Sequence, residues 1–172
     1  CKEAGLPGVL CHYKAPGIKC YELEIMKKSI EMVNEARAEG YNITAEMYPY
    51  QFGATGLSAI IPPWWKAGKT TEEWLALLEK GTESRAQIRA EIYEEVPTPY
   101  FFNFIMTTAG KDFSKIGFTS SPTGKNTALE GKYFDEIALL RGYTDPNDGI
   151  EAMFDIIIEE NGGGGMITPA YF

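Results

Sequence analysis

The chain predicts an α/β fold built on a parallel sheet, and three observations carry that prediction. The apolar run Gly8-Val9-Leu10-Cys11-His12-Tyr13-Lys14 reads as a short buried strand opening into a Pro/Gly loop. A helical stretch with one apolar stripe follows, and a second strand-like run spans Asn42 to Pro49. Strand, helix, strand in that order is the signature of parallel pairing, because parallel strands need a long crossover between them. A barrel and an open sheet fit this pattern equally.

Taken in order, the first strand ends around His12, the only histidine in 172 residues. The loop Ala15-Pro16-Gly17 leads to a helix from about Tyr21 to Ala38. Its apolar stripe is Met26, Ile30 and Val33, and Gly40 closes it. After the second strand, Gln51 to Lys69 is too long and irregular for an ordinary connection and reads as an insertion or lid. Two short helices then start at Thr70-Thr71-Glu72-Glu73 and Ser84-Arg85-Ala86-Gln87, both of which match the capping-box pattern. Leu75, Leu78, Ile88 and Ile92 supply their apolar faces.

Strand character returns in Tyr100 to Met106 and in Lys115 to Ser120, around a polar turn near Gly110. Lys132 to Leu140 is helical. Asp145-Pro146 opens another helix, Asp as N-cap and Pro at N1, with Ile150, Phe154 and Ile157 on one face until Asn161 and four glycines stop it. Gly165 to Phe172 reads as the start of a further strand. The expected organisation is therefore a strand-helix-strand segment over 1–50, an insertion over 51–98, and a third segment of strand, two helices and a starting strand over 99–172.

Composition narrows the partners. A net charge of −8, with basic residues scattered among the acidic ones, argues against nucleic acid, which needs clustered Lys and Arg. No apolar stretch approaches the ~20 residues that cross a bilayer, so no membrane partner is expected. Three cysteines without repeated spacing suggest reduced thiols and a cytoplasmic location. The chain opens without an initiator methionine and closes on a strand-like run with nothing after it, so a segment of a larger protein is expected.

On a strand, residues i and i+2 share a face, which would place His12 and Lys14 on one side and Cys11 and Tyr13 on the other. The carboxyl end of a barrel strand is where α/β barrels carry their chemistry, so His12 is a candidate metal ligand or general base. Read from the residues alone, a hydrogen-bonded histidine at a core edge beside a solvated lysine is the better of the two readings. Tyr48 and Tyr50 would share the same mouth, where two phenols could orient a carboxylate or an amide, or could simply pack. Trp64 and Trp65 are either the wall of an acyl pocket or an anchor for the insertion. Gly162 to Gly165 is a helix stop rather than a phosphate loop, because no Lys-Ser/Thr follows it. Glu91, Glu94 and Glu95 read as a solvated face, and Cys1, Cys11 and Cys20 as passive thiols.

Several stretches in collinear order carry a resemblance. They are Cys11-His12-Tyr13-Lys14-Ala15, Ala36-Arg37-Ala38-Glu39-Gly40, Thr44-Ala45-Glu46-Met47-Tyr48-Pro49-Tyr50 and Leu57-Ser58-Ala59-Ile60-Ile61-Pro62-Pro63-Trp64. Leu129-Glu130-Gly131-Lys132, Glu136-Ile137-Ala138, Asp145-Pro146 and Glu159-Glu160-Asn161-Gly162-Gly163 continue the series. Together they resemble the N-acyl-D-amino-acid deacylases (D-aminoacylases) of the amidohydrolase superfamily. The resemblance implies a partial (β/α)8 TIM barrel, roughly strands 5 to 8, with a helical insertion over the active site. It implies a zinc-dependent hydrolase in which metal-activated water attacks the amide of an N-acyl-D-amino acid; bound zinc lowers the pKa of water toward ~7.

Within that resemblance His12 matches the metal-ligand histidine of the fifth strand, and Lys14, Tyr48 and Tyr50 are substrate-binding candidates. The sixth-strand metal histidine falls at or near Tyr48, where this chain has none. The first-strand His-x-His, the bridging cysteine and the catalytic aspartate have no counterpart within 1–172. A barrel of this kind takes ~250 residues and a zinc site at least three protein ligands. No catalytic residue is therefore expected within the segment, which should be inactive without the remainder of the parent barrel. The alternatives are a cyclic-amide hydrolase of dihydroorotase or hydantoinase type and a non-catalytic binding module in which His12 is structural.

Overall fold

The computed structural model describes residues 3–14, 17, 24–94, 102–103 and 105–170. The protein is mixed α/β with small sheets, and the chain divides into two compact units, Cys1–Phe52 with Ala170–Phe172, and Gly53–Pro169.

In the first unit, β1 (Gly8–Leu10) and β2 (Ile43–Ala45) pair in parallel, with Gly8 opposite Ile43 and Leu10 opposite Ala45. The crossover is α1 (Ile25–Ala38), so the expected parallel strand-helix-strand is present. Gly40 ends α1 at φ 92°, and the amides of Gly40 and Tyr41 return to the Arg37 and Ala36 carbonyls. The apolar stripe is shifted from expectation. Ile30 is 43% exposed, and Ser29 takes the inner position because its hydroxyl meets the Tyr13 phenol at 2.7 Å. Among the described residues of this unit only Gly17 and Ala170 are buried, and neither carries a large apolar side chain.

The second unit holds the core. Its helices are α2 (Pro63–Lys66), α3 (Thr71–Ala76), α4 (Glu83–Tyr93), α5 (Phe134–Leu140) and α6 (Gly149–Glu159). Its strands β3 (Phe52–Gly56), β4 (Gly117–Ser120) and β5 (Gly165–Pro169) form a sheet ordered β3-β5-β4. β4 and β5 run antiparallel, with Phe118 opposite Met166. Helix α6 is apolar nearly all round, the pattern of a helix enclosed by its neighbours; Ile150, Met153, Phe154, Ile156 and Ile157 are all fully buried. Leu57, Ile60, Ile61, Leu78, Ile88 and Ile92, from the region expected as an insertion, belong to the same hydrophobic cluster as Phe118, Phe134 and Phe154.

Local signals explain most boundaries. Thr70 and Glu73 form a complete capping box at α3. At α4 the expectation is corrected: Thr82, not Ser84, is the N-cap, accepting from the Arg85 amide, while the Ser84 hydroxyl donates to the Leu77 carbonyl. Asp145 caps a 3-10 turn, Pro146–Asp148, that leads into α6. The strand expected over Tyr100 to Met106 is also corrected where it can be described. Tyr100, Phe101 and Phe104 lie outside the described residues, and Ile105–Ala109 is a π-helical turn. Asn103 explains it, because its side chain accepts from the Met106 amide and its carbonyl from the Thr107 amide, an asparagine cap inside an apolar run.

Beyond α6, Asn161 and Gly162 take left-handed φ of 52° and 82° and stop the helix. The carboxylate of Glu160, 2% exposed, organises the loop after β4. It accepts from the hydroxyls of Ser121 and Thr123, the Thr123 amide and the Asn126 side chain. Burial alone would raise its pKa, but these donors outweigh it and hold the group at about 2, against an ordinary 4.5. Glu160→Ala should cost about 1–3 kcal/mol at pH 7, because four donors, the buried Asn126 amide among them, lose their acceptor. With the folded pKa depressed, this contribution is complete above 4.5 and disappears as pH falls toward about 2. Urea midpoints of the two proteins should converge across that window; a constant gap would refute the assignment.

Candidate functional site

The residues singled out by sequence meet at the carboxyl ends of β1 and β2. β1 stops at Leu10, and His12 sits in a left-handed turn at φ 51°, a conformation histidine adopts more readily than most residues. The expected strand alternation through Lys14 therefore does not hold. The ladder still resumes: the Glu46 amide donates to Leu10 and the Tyr13 amide to Glu46. This pairing carries His12 and Lys14 to Tyr48. The imidazole meets the Tyr48 ring edge-on, centroids 5.4 Å apart. The Lys14 ammonium lies 4.0 Å from the same ring's centroid, and Tyr50 follows at 6.3 Å from Tyr48. All four candidate residues thus form one cluster, with Lys14 and Tyr48 half-buried and His12 and Tyr50 exposed.

Tyr13 faces α1, its phenol 2.7 Å from the Ser29 hydroxyl. Beside the cluster, between α1 and the strand ends, lies a cleft of about 370 Å³ whose lining includes Lys14, Glu46, Met26, Ile30, Ala45 and Met47. Sequence reading missed this cleft and Glu46, although Glu46, Tyr48 and Tyr50 fall at i, i+2 and i+4 of one run. Glu46 also raises the pKa of the exposed Cys11 thiol, by a hydrogen bond first and by its negative charge second.

A zinc ion takes three or more protein ligands. Among the described residues no three His, Cys, Asp or Glu side chains come together to hold one, and the ring nearest His12 is a phenol. The described residues therefore do not make up a zinc site; Cys1 and Cys20 lie outside them.

The second unit has its own polar cleft, about 730 Å³, lined in part by Lys80, Arg85, Arg89, Tyr143, Asp148 and Glu151. Its charges answer one another. Arg85 bonds Glu151, Asp155 and the Leu78 carbonyl, and Asp155 also accepts from Tyr143 and pairs with Lys80. Burial pushes the Asp155 carboxyl up, but Lys80, Tyr143 and Arg85 outweigh it and hold it below the ordinary range. Trp64 and Trp65 both donate to one oxygen of Glu91 at 2.7 Å. This favours the anchoring reading of the pair and gives Glu91 a role beyond a solvated face; Glu95 lies outside the described residues.

No protein-family model, curated protein or solved structure matches the chain. Among the described residues no helix is long and apolar enough to cross a membrane.

The geometry around Cys11 is open to direct measurement. With its pKa raised, the thiol should alkylate with iodoacetamide at pH 8 more slowly than a free cysteine peptide, since only the thiolate reacts. Glu46→Gln should speed the reaction. Equal rates in the two proteins would show that Glu46 does not reach the sulfur.

Proposed function

We propose that this chain is part of a metal-dependent amidohydrolase acting on N-acyl-D-amino acids, and that the ends of β1 and β2 supply part of its substrate site. In this reading the chain corresponds to about strands 5 to 8 of a partial (β/α)8 barrel, and hydrolysis belongs to the whole parent protein. The observation that supports it is the convergence of His12, Lys14, Tyr48 and Tyr50 at the carboxyl ends of two adjacent parallel strands, the place where α/β proteins of this architecture bind ligands.

The residues present suit such a substrate. Lys14 offers a cation for the carboxylate. Its contact with the half-buried Tyr48 ring is worth about 0.5–2 kcal/mol, less than the charged hydrogen bonds a carboxylate offers it. The Tyr48 and Tyr50 hydroxyls can donate to a carbonyl or accept from an amide N–H. His12 is the one histidine available to a metal held jointly with residues outside this chain.

Two measurements test this. N-acetyl-D-leucine titrated into the protein should shift the NMR signals of His12 and Tyr48 more than the L isomer does, and Lys14→Ala should weaken binding about tenfold, as loss of a charged hydrogen bond implies. Indifference to both chirality and the Lys14 substitution would sink the reading. In equilibrium dialysis the chain should hold zinc no better than His12→Ala does, because one histidine is an incomplete ligand set; tight stoichiometric zinc would overturn that.

A further inference from the structure

Resting on the reading just proposed, we infer that the cleft between α1 and the β1–β2 ends is the seat of the acyl group, and that the preferred ligand is an N-acyl amino acid whose acyl part is a medium-length aliphatic chain rather than acetyl. The lining is soft and apolar: the side chains of Met26, Ile30, Ala45 and Met47 face a space of about 370 Å³. That volume falls in the ~300–1,000 Å³ range of small-molecule sites, and unbranched thioethers adapt their shape to a flexible chain. An acetyl group would leave nearly all of it empty.

Two polar groups at the cleft fix the class of ligand. Lys14 lines the cleft and also lies over the Tyr48 ring, so it belongs to both the cleft and the polar cluster. Glu46 stands with it, already engaged with the Cys11 thiol. A cation and an acceptor lining one cleft complement the carboxylate and the amide N–H of an N-acyl amino acid. A free fatty acid offers only the carboxylate and would meet Glu46 as a like charge. The apolar tail then runs along Met26 and Ile30 on α1, and the amino-acid end lies toward Tyr48.

The test is a chain-length series of N-acetyl-, N-hexanoyl- and N-decanoyl-D-leucine titrated into the intact chain. Binding should tighten about fourfold for each added methylene until the cleft is full. The ε-methyl NMR signals of Met26 and Met47 should move with chain length, while that of Met32, 69% exposed, stays put. Ile30→Trp, at a site already 43% exposed, fills the cleft and should abolish the gain. The methyl signals give a readout on the native sequence, so the inference remains testable if this variant does not fold. If N-acetyl-D-leucine binds and longer chains gain nothing, the acyl-cleft inference fails and the functional reading stands. If no member binds, both fail. A gain that persists in folded Ile30→Trp, or decanoate binding as tightly as its amino-acid conjugate, overturns the inference as well.

Discussion

The larger unit is organised by one buried cation. Arg85 is 4% exposed, and a guanidinium so far from water must be neutralised and hydrogen-bonded in place. Glu151 and Asp155, one turn apart on α6, do this together with the Leu78 carbonyl. Removing one partner of such a group costs about 3–5 kcal/mol, so the start of α4 is held to one side of α6 and to the turn after α3. Asp155 then draws in Lys80 and Tyr143. The apolar remainder of α6 needs cover on its other sides, and the Phe118, Phe134, Leu57 and Ile88 side chains supply it.

The smaller unit is built on the opposite principle. No large apolar side chain is buried among its described residues; it is held by a short parallel ladder, a glycine-closed helix and the bond between Tyr13 and Ser29. The candidate ligand groups sit on that light frame. The left-handed turn at His12 joins strand to loop, and beyond it the imidazole and the lysine ammonium meet the same Tyr48 ring.

The order of elements was legible because its signals are local. A 3.6-residue period, glycines after helices and a Thr-x-x-Glu cap each act within a few residues, and α1, α3, α5, α6 and β1–β2 follow from them. Where two signals compete the reading slips. Thr82 and Ser84 are both competent caps, and the one preceded by left-handed Gly81 takes the role. Asn103 turns an apolar run into a helical turn, although its neighbours favour a strand. The partners of Arg85 and Glu160 lie tens of residues away in sequence, so no window could reveal them. That His12, Lys14, Tyr48 and Tyr50 come together was legible because they follow two strands whose parallel pairing the strand-helix-strand order predicts; the cleft beside them was not, since it depends on the rotation of α1 that brings Ser29 inward.

The thinness of the first unit has a consequence for how it would respond to a ligand. Segments with few buried contacts open locally at low free energy, far below the cost of unfolding a core. A molecule that binds only the closed form adds its binding free energy directly to that small local stability. Amide hydrogens of β1, β2 and α1 would then gain protection on ligation out of proportion to those of α6, whose exchange is limited by opening of the packed core. The unit's frame would be tuned by occupancy, and its resting softness would be what lets one site accept ligands of different lengths.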